Sequence, residues 1–563
     1  MPTNEEHKAS EVVIQSLLNA GVHTILGIPG AKIDAVFNGL MDHPEIKLIV
    51  CRHEQNMAFI AQAMGRITGR PGVCIATSGP GTSNLVTALL TANTEGDPVV
   101  ALCGAVPQAM SLKRTHQSFK AVETLTPVTK KTVGVEHPDQ VAEVMVDVFR
   151  VASSHPKGAT AVCLPQNIMN TGVSKFSAFQ ESAFTPALYG GAAKRYVDQA
   201  IELLQQAHRP VLFLGARASH GPAVAAIHKF LKTYPLPVVE TFQAAGALSE
   251  EMLNLFCGRV GLFRNQPGDK VLANADLILS VGYDPTEYEP PNWNPTRRHN
   301  IVHMDYESCD YEAHYEPKVE LLGSIVENMG RLTEWAEESG AGGSRTPFSH
   351  FTEELVAWKK SPKAQEQPGE PVHPIHFIRL LRERLSHDTV VTCDIGSVYI
   401  WMSRFFQSYQ ARTFLVSDGQ QTLGVGLPWA IGASLVQDPP CSKKVVSVSG
   451  DGGFMFSSQE LSTAVQQKCN ITQFIFNDDS YNMVEFQEVA KYGRSSGVEL
   501  GGVDFVKFAE AFGAKGFRVL KSEDMQSVME EALAYDGVSI VDIRIDYRDN
   551  DALMTNVIQD HQN

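Results

Sequence analysis

Short apolar runs without polar alternation recur along the whole chain, separated by amphipathic, helix-like stretches. They are IKLIVCR (46–52), GVCIATS (72–78), PVVALCGA (98–105), PVLFLGA (210–216), ADLILSVG (275–282), NIVHMD (300–305), VVTCDIG (390–396), KVVSVSG (444–450), ITQFIFND (471–478) and GVSIVDIRID (537–546). Runs of this kind suit parallel strands covered on both faces, and their alternation with helices predicts an α/β protein built on doubly wound parallel sheets.

The 563 residues amount to roughly three to four common domain lengths of about 150. Two stretches poor in long apolar runs divide them. Residues 171–195 hold the Gly190–Gly191 pair, and residues 338–374 are rich in Gly, Pro, Ser and charge. The division predicts domains over 1–175, 190–340 and 375–563, each long enough for its own core. A formal charge of −16 argues against unspecific binding to nucleic acid or anionic membranes. There is neither a signal-peptide pattern at MPTNEEHKAS nor a run of ~20 apolar residues, so a cytoplasmic chain is expected. The nine cysteines are scattered with no C-x-x-C pair, and read as reduced, buried thiols rather than a zinc site.

One internal echo stands out. VCIATSGPGTSNLVTA (73–88) and VSVSGDGGFMFSSQELSTA (446–464) both run from strand through Ser-Gly-x-Gly to a helix start. Either any tight strand-to-helix turn recruits glycine, or the first and third domains are divergent copies with the middle one inserted.

The strongest local signal is Gly450-Asp451-Gly452-Gly453 after one strand and Asn477-Asp478-Asp479-Ser480 at the end of the next. One strand-helix-strand unit spans about the distance between Asp451 and Asp478, which puts both carboxylates at one sheet edge. Hard oxygen ligands there suit Mg²⁺ or Ca²⁺, and a helix starting near Phe454 would aim amides at an anion. The competing reading is two unrelated acidic turns. A second signal, Arg52-His53-Glu54-Gln55-Asn56, ends the run IKLIVC and enters a helix-like stretch. Glu54 there is either a capping residue or, at an apolar sheet mouth, a carboxyl with a raised pKa fit to pass protons. A third, Ser417 to Pro428, is Gly-rich and precedes the small-residue helix AIGASLV. No H-E-x-x-H pair or Walker A sequence is present.

In this order the motifs resemble the thiamin-diphosphate enzymes of the pyruvate oxidase and acetohydroxyacid synthase group, with Gly450-Asp451-Gly452, Asn477-Asp478 and Glu54 as counterparts of the family signature. GIPGAKID (27–34), TSGPGTSNL (77–85), GRVGLF (258–263), GYDPTEYEP (282–290), GQQTLGVGLPWAIGA (419–433) and YNMV (481–484) are similar to the catabolic, flavin-independent acetolactate synthases. The resemblance implies a pyrimidine-binding, a flavin-type middle and a pyrophosphate-binding domain. It implies decarboxylation of pyruvate on thiamin diphosphate and ligation of the hydroxyethyl unit to a second pyruvate, giving 2-acetolactate and CO₂ for acetoin formation. It also implies Mg²⁺, no FAD, and a homodimer or homotetramer with its sites at the subunit interface.

Residue by residue, the resemblance implies metal ligation by Asp451 and Asp478 side chains and the Ser480 carbonyl. It implies cofactor contacts from Ser397, Val398, Gly419, Gln421, Leu423, Gly452, Gly453 and Met483. Glu54 is the implied proton-relay residue on the aminopyrimidine, and Gln117 and Gln487 line the reacting pocket. Three departures matter. Asp478 replaces the family's second Asn and adds a charge beside the metal. Leu423 stands where Met is common. Gly282 is followed by Tyr283-Asp284-Pro285, and MVEFQE (483–488) has no Trp, unlike the flavin-containing, biosynthetic branch. The rivals are a pyruvate decarboxylase or oxidase, the biosynthetic synthase, and a non-catalytic copy of the fold.

Overall fold

The computed structural model describes residues 7–174, 178–342, 355 and 357–555. Parts of both dividing stretches (175–177, and 343–354 with 356) lie outside the described residues.

Three six-stranded sheets carry the chain, and every strand pairing described is parallel. The first holds β1 (Thr24–Gly27), β2 (Lys47–Val50), β3 (Gly72–Ala76), β4 (Val99–Ala105), β5 (Lys131–Gly134) and β6 (Ala159–Pro165), in the order β2-β1-β3-β4-β6-β5. The second holds β7 (Pro210–Leu214), β8 (Val238–Thr241), β9 (Phe256–Val260), β10 (Leu277–Val281), β11 (Asn300–Asp305) and β12 (Val319–Leu322), in the order β12-β11-β10-β7-β8-β9. The third holds β13 (Val391–Cys393), β14 (Phe414–Leu415), β15 (Val445–Gly450), β16 (Ile471–Asn477), β17 (Lys515–Val519) and β18 (Ser539–Arg544), in the order β14-β13-β15-β16-β18-β17.

Counted from its own first strand, the third sheet repeats the strand order of the first, whereas the second follows a different winding. The Ser-Gly-x-Gly turns leave the third strand in both copies. That favours divergent copies over coincidence as the source of the sequence echo. In the middle sheet the order reverses direction once, between β9 and β10, and right-handed crossovers then place helices on both faces. The middle sheet shows the result directly. Leu212 and Leu214 join one buried cluster while Val211 and Phe213 join another, so neither face is left wet.

Contacts gather the chain into two compact units. One contains the first sheet with residues 427–443 and 457–471, and the other contains the second and third sheets. Among the described residues no helix is long and apolar enough to cross a membrane.

Within the first unit, the helix Glu54–Thr68 is fixed at both ends. His53 caps it by accepting the Gln55 N–H at 3.2 Å, and Gly69 ends it at φ +73°. The small-residue helix Gly426–Leu435 packs closely on it: a Cβ at Gly432 would lie 2.6 Å from the Ile60 carbonyl oxygen. Arg66 stacks 4.5 Å over Trp429 while its guanidinium bonds the buried Asp97 at 2.7 Å. A desolvated cation over Trp contributes on the order of 2 kcal/mol, so this helix is a rigid base for its first residue, Glu54.

Candidate active site

In the first unit, the approach to Glu54 is held from a distant part of the chain. Oε1 of the buried Glu460 accepts the N–H groups of both Arg52 and His53 at 2.9 Å, and its Oε2 accepts the Thr463 hydroxyl at 2.6 Å. Arg52 adds bonds to Ser462 Oγ at 3.2 Å and Gln466 Oε1 at 2.8 Å. Glu54 is half-buried, and its Oε2 accepts the Asn84 amide at 2.9 Å. The Gly79-Pro80-Gly81 turn passes beside it; a Cβ at Gly81 would stand 3.4 Å from Glu54 Oε1. Gly79, at φ +64°, lies so close to Gln117 that a Cβ there would be 3.2 Å from the Gln117 Cα. The structure thus brings Glu54, the glycine turn and the half-buried Gln117 together. The Thr77 and Ser78 hydroxyls beside them are buried without a hydrogen-bond partner, and suit a polar ligand.

The second unit assembles the acidic pair. The helix Asp451–Met455 begins three residues before the expected Phe454. Gly450 is the extended N-cap residue, so Asp451 opens the first turn directly at the end of β15, and Asp478 follows β16 in the adjacent position. Asp451 accepts the Gly452 N–H at 2.8 Å and the Asp479 N–H. Burial first, and the charge of Asp479 second, push its carboxyl up to about 6 despite those bonds. Burial likewise pushes Asp478 up to about 7, with the charges of Asp451 and Glu485 adding to it. A buried and a half-buried carboxyl thus stand close enough for the charge of Asp451 to raise Asp478, an arrangement that a cation between them would relieve. Ser480 donates its hydroxyl to Glu485 at 2.6 Å, which leaves its backbone carbonyl for a metal. Two carboxylates and one carbonyl make an incomplete oxygen shell that a diphosphate and water would complete, as Mg²⁺ prefers.

The glycines beside the pair are sterically required. A Cβ at Gly452 would meet the Tyr481 ring at 2.6 Å, and one at Gly453 would meet Asp394 Oδ1 at 2.9 Å. Asp394, fully buried after β13, accepts the N–H groups of Ile395 at 2.8 Å, Gly424 at 2.9 Å and Gly426 at 2.9 Å. It joins the Gly450–Gly453 turn to the loop that carries Gly419, Gln421 and Leu423. Gln421 sits at φ +48°, and Leu423 and Met483 are half-buried against the apolar core of this domain. The Ser397 hydroxyl donates to Asn482 Oδ1 at 2.7 Å and accepts from Asn550 at 2.9 Å. Val398 is 1% exposed as a whole residue and its side chain belongs to the core. Met483 and the half-buried Gln487 stand one turn apart on the helix Asn482–Tyr492.

Glu460, Asp394 and Asn84 were not singled out by sequence reasoning, although each lies in a run quoted there. Their roles rest on contacts distant in sequence, such as the 408 residues between Glu460 and Arg52. Because Oε1 alone serves both amides, Glu460→Gln should keep them, and its stability loss should stay within about 1 kcal/mol. Glu460→Ala should cost about 2–4 kcal/mol in urea unfolding and lower kcat more than it raises KM, as expected of a positioning residue.

Family comparisons agree with this geometry. The model for the N-terminal TPP binding domain of thiamine pyrophosphate enzymes matches residues 7–124, that for the central domain residues 197–332, and that for the C-terminal TPP binding domain residues 394–543. The acetolactate synthase of Bacillus subtilis is 45% identical, with 97% of this chain and 94% of that protein covered. The catabolic acetolactate synthase of Raoultella terrigena is 42% identical, over 97% and 96%. The large subunit of acetolactate synthase isozyme 1 of Escherichia coli is 27% identical, over 97% and 95%.

Proposed function

The chain belongs to the acetolactate synthase family of thiamine pyrophosphate enzymes, and from that premise we propose how its residues carry the reaction, pyruvate to 2-acetolactate and CO₂ in the catabolic, acetoin-forming direction. The observation that carries the reading is the pair Asp451 and Asp478, set at the ends of adjacent strands, with the charge of Asp451 helping to raise Asp478.

Asp451, Asp478 and the Ser480 carbonyl would hold Mg²⁺ and, through it, the coenzyme's diphosphate, beside the turn that Gly452 and Gly453 let close against Tyr481 and Asp394. Ser397, the Val398 backbone, Gly419, Gln421, Leu423 and Met483 surround the rest of the coenzyme. Thiamin diphosphate, when bound, supplies a nucleophilic ring carbon and an electron sink for decarboxylation. Glu54 holds and passes the proton at the aminopyrimidine ring, with Asn84 fixing its Oε2. Gln117 and Gln487 orient the second pyruvate and help exclude water, so that ligation outpaces protonation.

The active sites lie at a subunit interface in a cytoplasmic homodimer or homotetramer, with Glu54 of one protomer and the acidic pair of its partner on one coenzyme. Exposed apolar side chains border both half-sites and support this: Met110 and Leu112 near Gln117, and Phe456, Val484 and Tyr492 near Asp451 and Met483. The domains run over 1–175, 190–340 and 375–563. The middle domain holds no FAD. In support, Glu287 fills the turn after β7: it accepts the Ala216 N–H at 2.9 Å, and a Cβ at Gly215 would lie 2.8 Å from its Oε1. Arg217 beside it is already bonded to Asp284 and Asp305.

Purified protein incubated with pyruvate, thiamin diphosphate and Mg²⁺ should form acetolactate, read as acetoin after acid treatment, with no flavin absorbance. Acetaldehyde as the main product, or peroxide with a bound flavin, would replace this reading with decarboxylase or oxidase chemistry.

The raised carboxyls also set a pH dependence. The stability contributed by the protonated, metal-free pair is present below about pH 4 and lost as pH rises through about 6–7. Mg²⁺ should therefore stabilise the protein more at pH 8 than at pH 5.5. Its affinity should fall about tenfold per pH unit within that window and up to about a hundredfold per unit below it, with proton release on binding. Calorimetry in two buffers of different ionisation enthalpy measures the released protons; a flat affinity between pH 5.5 and 8 contradicts the assignment.

A further inference from the structure

Seven of the nine cysteines are chemically quiet. Cys51, Cys74, Cys103, Cys163, Cys257 and Cys393 are buried, and Cys309 is half-buried. Burial pushes the thiols of all seven up, in Cys74, Cys163, Cys257 and Cys309 to about 12. Cys441 and Cys469 differ. Their Sγ atoms lie 3.7 Å apart, in hydrogen-bonded contact, within the first unit. Cys441 is half-buried and sits at φ +62° in the turn that follows the helix Gly426–Leu435, where its N–H donates to the Ser434 carbonyl at 2.8 Å. Cys469 is buried just before β16, and its N–H donates to the Ala464 carbonyl at 3.0 Å. Each backbone is anchored, so the two sulfurs are held facing each other rather than meeting by chance motion.

We propose that Cys441 and Cys469 are a redox-active dithiol that hydroperoxides oxidise to an intramolecular disulfide. The hydrogen bond between the two sulfurs, aided by the Ser434 side chain and the positive charge of Lys47, lowers the Cys441 thiol and raises that of Cys469. Cys441 is therefore the more acidic thiol and lies on the more accessible side of the pair, which makes it the attacking sulfur. The thiolate attacks one peroxide oxygen. The O–O bond breaks, an S–O bond forms, and hydroxide leaves and takes up, as water, the proton that the Cys441 thiol gave up on ionising, with Cys441 left as its sulfenic acid. The Cys469 sulfur then attacks the Cys441 sulfur; an S–S bond forms, the S–O bond breaks, and a second water leaves with the Cys469 proton. In sum, two thiols and one hydrogen peroxide give one disulfide and two waters, the sulfurs losing two electrons and the peroxide oxygens gaining them. Closing from 3.7 Å to the bond length of about 2.05 Å asks for less than 2 Å of sulfur movement.

The bond would form in the segment that steadies Glu54. Cys469 lies three residues beyond the helix Leu461–Gln466, whose Ser462 and Gln466 hold Arg52 at the far end of β2 from Lys47.

Hydrogen peroxide titrated into the purified full-length enzyme tests the proposal, with non-reducing peptide mapping as the readout. We expect the loss of two of the nine titratable thiols first, a cross-linked peptide pair joining Cys441 and Cys469 two hydrogens lighter than its parts, and reversal by dithiothreitol. Cys469→Ser should leave a Cys441 sulfenic acid that dimedone traps, and Cys441→Ser should abolish both products. Oxidation of other cysteines while 441 and 469 stay reduced, or a Cys441 sulfinic acid in the unmutated protein without any cross-link, would overturn it. The mapping on the unmutated chain decides the matter even if a variant folds poorly.

Discussion

Glu54→Gln is expected to lower kcat for acetolactate formation by about two to four orders of magnitude while changing coenzyme affinity far less. Gln is nearly isosteric, and one amide oxygen can still accept the Asn84 amide that Glu54 Oε2 accepts at 2.9 Å. What is lost is an acceptor that can take and return a proton. The helix that Glu54 opens is fixed by the His53 cap, by Gly69 and by Arg66 against Trp429, none of which the substitution touches. Far-UV circular dichroism and the thermal midpoint should stay near those of the parent, which separates a chemical loss from a folding one. Turnover retained within tenfold would remove Glu54 from the proton path.

Asp451→Asn should be the other severe loss, through a different step. It removes one of the two carboxylates proposed to hold the metal, so half-saturation by Mg²⁺ should rise about tenfold to a hundredfold, and activity at ordinary Mg²⁺ should collapse. It also removes the charge that helps push Asp478 up to about 7. Asp478 should then titrate lower in the variant, and the metal-free protein should lose less stability between pH 5 and 8 than the parent does. Excess Mg²⁺ should restore part of the activity of Asp451→Asn and none of that of Glu54→Gln. Equal responses of the two variants to Mg²⁺ would contradict the division of labour.

All ten apolar runs quoted from the sequence contain strands of the three sheets, because a parallel strand covered on both faces must be apolar at successive positions. The strands not flagged are mostly short or at sheet edges, where that demand lapses. β14 is only Phe414–Leu415, and β17 alternates buried and exposed positions. The echo between the first and third domains stayed ambiguous in sequence because two glycine turns share little besides glycine; strand order carries more information, and it matches. The start of the helix after β15 was misplaced because Gly452 and Gly453 disfavour helix locally. Packing against Tyr481 and Asp394, which admits no Cβ, overrides that preference. Asp451, Asp478 and Glu54 were legible because their motifs are local. Asp394 and Glu460, which set the surrounding backbone, were not, since their partners are loops and turns that only the folded chain brings near.

The central claim is that one coenzyme is served by Glu54 from one chain and by Asp451 and Asp478 from another. Co-expression of Glu54→Gln and Asp451→Asn chains under two different tags, followed by purification through both, isolates hybrids of two nearly inactive parents. In each hybrid dimer one site joins the two intact residues and the other joins both defects, so turnover should return to about half the parental value. If the residues instead serve a coenzyme within a single chain, every site in the hybrid keeps one defect, and activity no higher than that of the separate variants would contradict the account.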